Sequence, residues 1–315
     1  MKRSLTFTTI VFTIALAFLT AAEASGQEQF GPNNAYRSTS QINFRLPFRR
    51  YASMIDVEVV SGKIVFQGDI ILGEESMLYG PQLASAGSSD RRWPNGLIPI
   101  VVPTTHPRYH DIMKALDIVD RDTNLSFVKR TTETDYVEFV SEDGCASYYG
   151  RKGGRQTVTI GSAGDCVPGS IIHEILHASG IFHEQARSDR DDFVTINFAN
   201  VQAGKENNFK KYDDEDLNGV DIGNYDYGSI MHYGTHFFGK DGKQTITPKS
   251  DVEIGQRRGL SEGDLAGIRN MYPVKARPYT PMIRVEIGDT RVIVDPNSKL
   301  PYEPRRKLGG VIRQP

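Results

Sequence analysis

The run His173-Glu174-Ile175-Leu176-His177-Ala178-Ser179-Gly180-Ile181-Phe182-His183 constrains this chain more than any other stretch. Histidines four apart lie one turn above the other on the same face of a helix, so His173 and His177 present their rings together. Glu174 follows the first of them, where its carboxylate reaches a water held by a metal. Gly180 permits the left-handed turn that ends the helix. His183, three residues on, swings back as a third ligand. Three protein ligands leave one coordination position open, which is the arrangement of a catalytic zinc site rather than a structural one. The bland alternative, a surface helix with solvated histidines, does not account for the glycine and the third histidine.

A second element lies downstream at Ser229-Ile230-Met231-His232-Tyr233. Taken alone, Met231 reads as a core methionine and Tyr233 as an ordinary hydrogen-bonded tyrosine. The extended H-E-x-x-H-x-x-G-x-x-H pattern is the known signature of the metzincin clan, and Met231 then resembles its Met-turn. The tail Glu184-x-x-Arg187-x-Asp189-Arg190-Asp191, with a tyrosine directly after Met-His, resembles the astacin family of zinc metallopeptidases. The resemblance runs from about Arg92 to Tyr272. It includes Trp93-Pro94-Asn95-Gly96-Leu97-Ile98-Pro99, Ile254-Gly255-Gln256-Arg257 and Gly259-Leu260-Ser261.

The resemblance implies an α+β, zincin-like catalytic domain, with a twisted sheet and the zinc helix above a cleft. Below it lies an irregular lower half with the Met-turn and a C-terminal helix. It implies one zinc ion per chain on His173, His177 and His183, with Glu174 as the catalytic base. Met231 is implied to pack beneath the histidines. The Tyr233 hydroxyl is implied as a ligand in the resting enzyme and a donor to the oxyanion. Glu184 is implied to hold the amino terminus created when a propeptide is removed. Substrates are then proteins or peptides. The competing reading is a catalytically inactive relative acting as a binding or matrix protein, which usually loses the glutamate or a ligand; this chain keeps both.

Residues 1–24 read as a signal peptide: Lys2 and Arg3 precede an apolar run from Leu5 to Ala22, and Ala22-Glu23-Ala24 has the small-x-small form of a cleavage site. The alternative is a membrane anchor. The signal reading implies a secreted protein with no stable anchor after removal of that segment. The formal net charge of −2 argues against nucleic acid as a partner. In an exported chain the pair Cys145 and Cys166 suggests one disulfide, the alternative being two free thiols. Their position matches a family disulfide, while the places of a second one, near Asn124 and after Tyr272, hold no cysteine.

Residues 25–91 read as a propeptide. Val57-Glu58-Val59-Val60 is strand-like, and Phe66-Gln67-Gly68-Asp69-Ile70 follows. In zymogens of the family an F-x-G-D segment places its aspartate on the zinc, so the resemblance makes Asp69 the inhibitory ligand and the propeptide an intramolecular inhibitor. A simple Gly-Asp turn between two strands is the alternative.

Within 92–273, Leu97–Val102, Tyr136–Val140 and Thr157–Ile160 read as strands. Tyr109–Val119 reads as a helix with Ile112, Leu116 and Val119 on one face. The zinc helix is expected over about Ser170–Ser179. A last helix is expected to start at Ser261, capped reciprocally with Asp264. The tail, 274–315, carries nine Lys or Arg against four Asp or Glu. It reads either as a solvated, flexible tail or as a hairpin of Met282–Ile287 with Arg291–Val294. The resemblance also implies a preference for an acidic residue after the scissile bond; Lys240, Lys243, Lys249, Arg257 and Arg258 lie in the segment expected to line that pocket, and the sequence does not choose among them.

Overall fold

The computed structural model describes residues 37–44, 53–78, 91–211, 220–279, 286–287 and 290–291. The segment read as a signal peptide lies outside the described residues, as does most of the tail. Four strands precede the catalytic region: β1 (Arg37–Phe44), β2 (Ser53–Val60), β3 (Lys63–Phe66) and β4 (Ile70–Glu74). They form an antiparallel meander. Then come β5 (Leu97–Val101), α1 (Tyr109–Asp122), β6 (Ser126–Lys129), β7 (Tyr136–Val140), β8 (Cys145–Tyr148), β9 (Arg155–Ile160) and α2 (Pro168–Ala178). The second half has little regular structure: β10 (Val194–Ile196) pairs with β11 (Ile246–Pro248), and α3 (Glu262–Met271) closes it. In the tail, Glu286–Ile287 and Thr290–Arg291 pair antiparallel; the rest of the hairpin read over Met282–Ile287 and Arg291–Val294 lies outside the described residues.

All nine strands from β1 to β9 share one sheet, in the order β1-β2-β3-β4-β8-β9-β7-β5-β6. The meander joins it through β4, which runs parallel to β8 with Ile70 opposite Ser147 and Ile71 opposite Tyr148. The main core lies between the sheet and the helices. Ile112, Leu116 and Val119 of α1 meet Val137, Phe139 and Val158 of the strands and Ile171, Ile175 and Leu176 of α2. A second apolar cluster joins Ile55, Phe66 and Ile70 of the meander to Tyr149 and Ala186. Alternation along β2 separates its faces: Ile55 and Val57 are buried, whereas Asp56 and Glu58 are half-buried.

The metal helix starts two residues before the expected Ser170. Pro168 supplies the fixed φ favoured at a first helical position and needs no N–H partner there. Every residue from Gly169 to Ala178 is buried. At its end the Gly180 N–H donates to His177 O at 2.9 Å and the Ile181 N–H to Leu176 O at 3.1 Å, with Gly180 at φ +95°. This is the Schellman pairing that needs glycine. Cys145 and Cys166 form a disulfide that ties β8 to the segment leading into α2.

The α3 start is the expected capping box: the Ser261 hydroxyl accepts from Asp264 N, and the Asp264 carboxylate accepts from Ser261 N. Asn124 Nδ2 donates to Tyr272 O at 2.7 Å. Lys275 reaches the carbonyls of Thr123 and Leu125, each at 2.8 Å, and the buried Asp120 carboxylate at 3.0 Å. Hydrogen bonds and an ion pair thus tie the segment after α1 to the end of α3 and the residues beyond it.

Candidate metal centre

Helix α2 brings His173 and His177 to one point, and the Gly180 turn returns His183 to them. All three are fully buried. Each ring is oriented from behind by an oxygen that only accepts. His173 Nδ1 faces Ile230 O at 2.9 Å and His177 Nδ1 faces Ile181 O at 2.7 Å. His183 Nδ1 faces Gln67 Oε1 at 3.0 Å, the orientation of that amide being set by its Nε2 on Lys210 O. Each Nδ1 therefore carries the proton, and each Nε2 presents a lone pair.

The Nε2 atoms converge. His177 stands 3.0 Å from His173 and 3.2 Å from His183. Asp69 Oδ2 lies 3.3 Å from His173 Nε2, and Asp69 Oδ1 lies 3.2 Å from His183 Nε2. The four ligand atoms all lie within 4.8 Å of one another, and all four residues are buried. Three lone pairs and a carboxylate cannot satisfy one another. Burial, and then the neighbouring His173 and His183, hold His177 well below the usual histidine range. A cation satisfies all four donors. Three nitrogens and one carboxylate oxygen are zinc donors, and the spacings match the edge of about 3.3 Å of a tetrahedron with ~2.0 Å bonds.

Asp69 arrives on the three-residue turn between β3 and β4. Gln67 and Gly68 both have positive φ, +48° and +84°. A Cβ on Gly68 would stand 2.7 Å from the Phe238 ring, so the turn is pressed against the lower half. The two readings of this segment are therefore not alternatives: it is a turn between two strands, and it carries its aspartate to the histidines. Gln67 was not singled out by the sequence reading. Its amide orients His183, and its carbonyl accepts from the Tyr233 hydroxyl. Nothing but its place beside Gly-Asp signalled this.

Glu174 is fully buried beside His173. Met231 is 1% exposed, in the same core as Ile171 and Ile175, and its carbonyl accepts from Glu184 N at 3.1 Å. Tyr233 lies against His183, with ring centroids 4.6 Å apart. Its hydroxyl donates to the Gln67 carbonyl, while the Asp69 carboxylate faces the three nitrogens. Glu184 is away from them. Its Oε1 accepts from Asp226 N at 2.7 Å, and burial pushes its carboxyl up to about 8. It lines a cavity of about 320 Å³ with Arg92, Arg187, Asp226, Asp264 and Met271.

Of the five basic residues, Lys240 and Lys243 are exposed and Lys249 donates to Asp191 O. The Arg258 side chain is 79% exposed. Arg257 alone turns inward, donating to His232 O at 3.0 Å, and its charge is felt by His177 and His232.

Residues 85–273 match the family model described as Astacin, a family of peptidases. The chain belongs to the astacin family. It is similar to zinc metalloproteinase nas-13 of Caenorhabditis elegans, 41% identical over 202 residues, covering 62% of this chain and 44% of that protein. It is also similar to high choriolytic enzyme 1 of Oryzias latipes, 42% identical over 185 residues, covering 56% of this chain and 67% of that enzyme. The solved structure described as a hatching enzyme zinc-protease from the medaka fish superposes with a TM-score of 0.52. The two are 40% identical, over 58% of this chain and 93% of that one. The chain spans about 44% and 43% of the length of the two nematode relatives nas-13 and nas-15. Astacin relatives named zinc metalloproteinases and this buried His/Asp group agree on zinc as the metal the site takes.

Proposed function

We propose that this astacin is a secreted zinc metalloendopeptidase made as a latent zymogen. The observation that carries the proposal is the buried meeting of three histidine lone pairs with Asp69, which comes from a hairpin outside the matched family domain. His173, His177 and His183 would hold the zinc, which would supply a Lewis acid able to lower the pKa of a water to about 7 and to polarise a peptide carbonyl. Glu174 takes the proton of the attacking water and hands it to the leaving amine. The Tyr233 hydroxyl donates to the oxyanion as it develops. Arg257 draws an acidic substrate side chain to the position after the scissile bond.

Asp69 blocks this chemistry in the precursor by filling the fourth donor position, while Gln67 engages the Tyr233 hydroxyl. Cleavage upstream of Trp93 removes residues 25–91, and Glu184 receives the new amino terminus in the cavity that Arg92 lines. Secretion rests on the charge and apolar pattern of residues 1–24. Substrates are proteins or peptides.

The experiment is casein hydrolysis by zinc-loaded full-length protein, before and after limited proteolysis, with and without a chelator. Uncut wild type is expected to be silent and the cut protein active and chelator-sensitive. Uncut Asp69→Ala is expected to leak activity; if it stays as silent as the uncut wild type, Asp69 is not the latch.

A further inference from the structure

A hydroxyl at the end of a tyrosine acts on developing charge only when the residue behind it is held to a small fraction of its length. The Tyr233 backbone is held at both of its polar atoms by side chains that the mechanism above does not use. Its N–H donates to Gln185 Oε1 at 3.0 Å. Its carbonyl faces His232 Nδ1 at 2.7 Å, and Nε2 of the same ring accepts from the Tyr225 hydroxyl at 2.6 Å. Gln185 and His232 are fully buried, and Tyr225 is 8% exposed. Both holders are themselves fixed: Arg190 Nη1 donates to Gln185 O at 2.8 Å, and Arg257 Nη1 to His232 O at 3.0 Å.

Gln185 is an expensive residue for this slot. Its Nε2 finds no hydrogen-bond partner among the described residues. A buried amide left so costs on the order of 1–3 kcal/mol, and a leucine or methionine would fill the space without that cost. What those residues lack is the acceptor for the Tyr233 N–H. The hydroxyl end of Tyr233 is held differently, by a carbonyl of the meander strands. That contact goes when the meander goes, whereas the backbone clamp belongs wholly to the catalytic half.

We infer that Gln185, and the Tyr225–His232 pair on the other side of the peptide, are positioning residues for Tyr233. They keep the tyrosine in place while its hydroxyl passes from the Gln67 carbonyl to the oxyanion of a substrate. The inference rests on the reading of Tyr233 as the oxyanion donor.

Two double-mutant cycles on the activated, zinc-loaded protein test it. Gln185→Met and Tyr225→Phe are each made alone and with Tyr233→Phe, and kcat and KM are measured per folded molecule. Each single change is expected to lower kcat about tenfold with KM within about threefold. On top of Tyr233→Phe each is expected to cost less than about twofold, since there is no hydroxyl left to position. Equal losses in both backgrounds mean general damage and overturn the positioning role of the residue tested. Tyr225→Phe removes one oxygen from a packed ring and keeps the test available if Gln185→Met does not fold. A Tyr233→Phe protein with full kcat overturns the donor reading and this inference with it. A slow Tyr233→Phe protein with additive cycles overturns this inference alone.

Discussion

At the scale of single residues, the proposed mechanism keeps the groups that bind metal separate from the one that moves a proton. The histidines are locked by their Nδ1 contacts, so metal affinity does not depend on Glu174. Glu174→Gln keeps shape and burial but cannot take a proton. The expected result is about one zinc per chain by metal analysis, with kcat down by at least about 10²-fold. Near-normal turnover in a pure, zinc-loaded variant removes Glu174 as the base. The meeting of His173 and His177 was legible in the sequence because helix spacing alone brings them together. Gln67 and Gln185 were not, because a neutral amide announces nothing until its partners, His183 and Tyr233, are brought to it from 116 and 48 residues away.

At the scale of elements, helix α2 is placed as tightly at its start as at its end. A Cβ on Gly169 would stand 1.8 Å from the carbonyl oxygen of Arg257, which is backbone and cannot step aside cheaply. Gly169→Ala is therefore expected to push the helix start away from the Arg257 segment. The cost is that of overpacking, about 1–3 kcal/mol, read as a lower melting temperature in the zinc-free protein. An unchanged melting temperature means that the segment gives way instead. Helix α1 was readable from its one apolar face, and strands β5, β7 and β9 from their β-branched and aromatic residues, each to within a few residues. The junction of β4 with β8 was not. Parallel pairing between residues 77 positions apart leaves no local mark, and the buried run Ile70–Gly73 reads equally as a strand of a separate unit.

At the scale of the whole molecule, the meander and the catalytic part are joined by apolar packing on one face of β2 and by charge on the other. Lys205 pairs with Glu58 and Lys210 with Asp56, each at 2.5 Å. The Lys210–Asp56 pair is partly exposed, contributes at most about 1 kcal/mol and is screened by salt, whereas Lys205 and Glu58 are largely buried and their pair is screened less. Replacing both lysines by alanine is expected to weaken inhibition of the activated protein by the excised 25–91 segment by about three- to thirtyfold. The same change is expected to flatten the dependence of its Ki on ionic strength. A Ki that still rises steeply with salt in the double variant shows that the charge coupling lies elsewhere. The two ends of the catalytic part also meet. The Trp93 indole donates to Ala178 O at 2.8 Å, Trp93 N stands 3.3 Å from the Tyr272 hydroxyl, and that hydroxyl donates to Ser179 O at 2.7 Å. The first and last residues of this region thus close over the final turn of the metal helix. The direction in which the chain is threaded is then incidental to the metal site. A permuted polypeptide that joins the region of Tyr272 to that of Trp93 by a short linker, opened at an exposed loop instead, has the contacts to assemble the same centre.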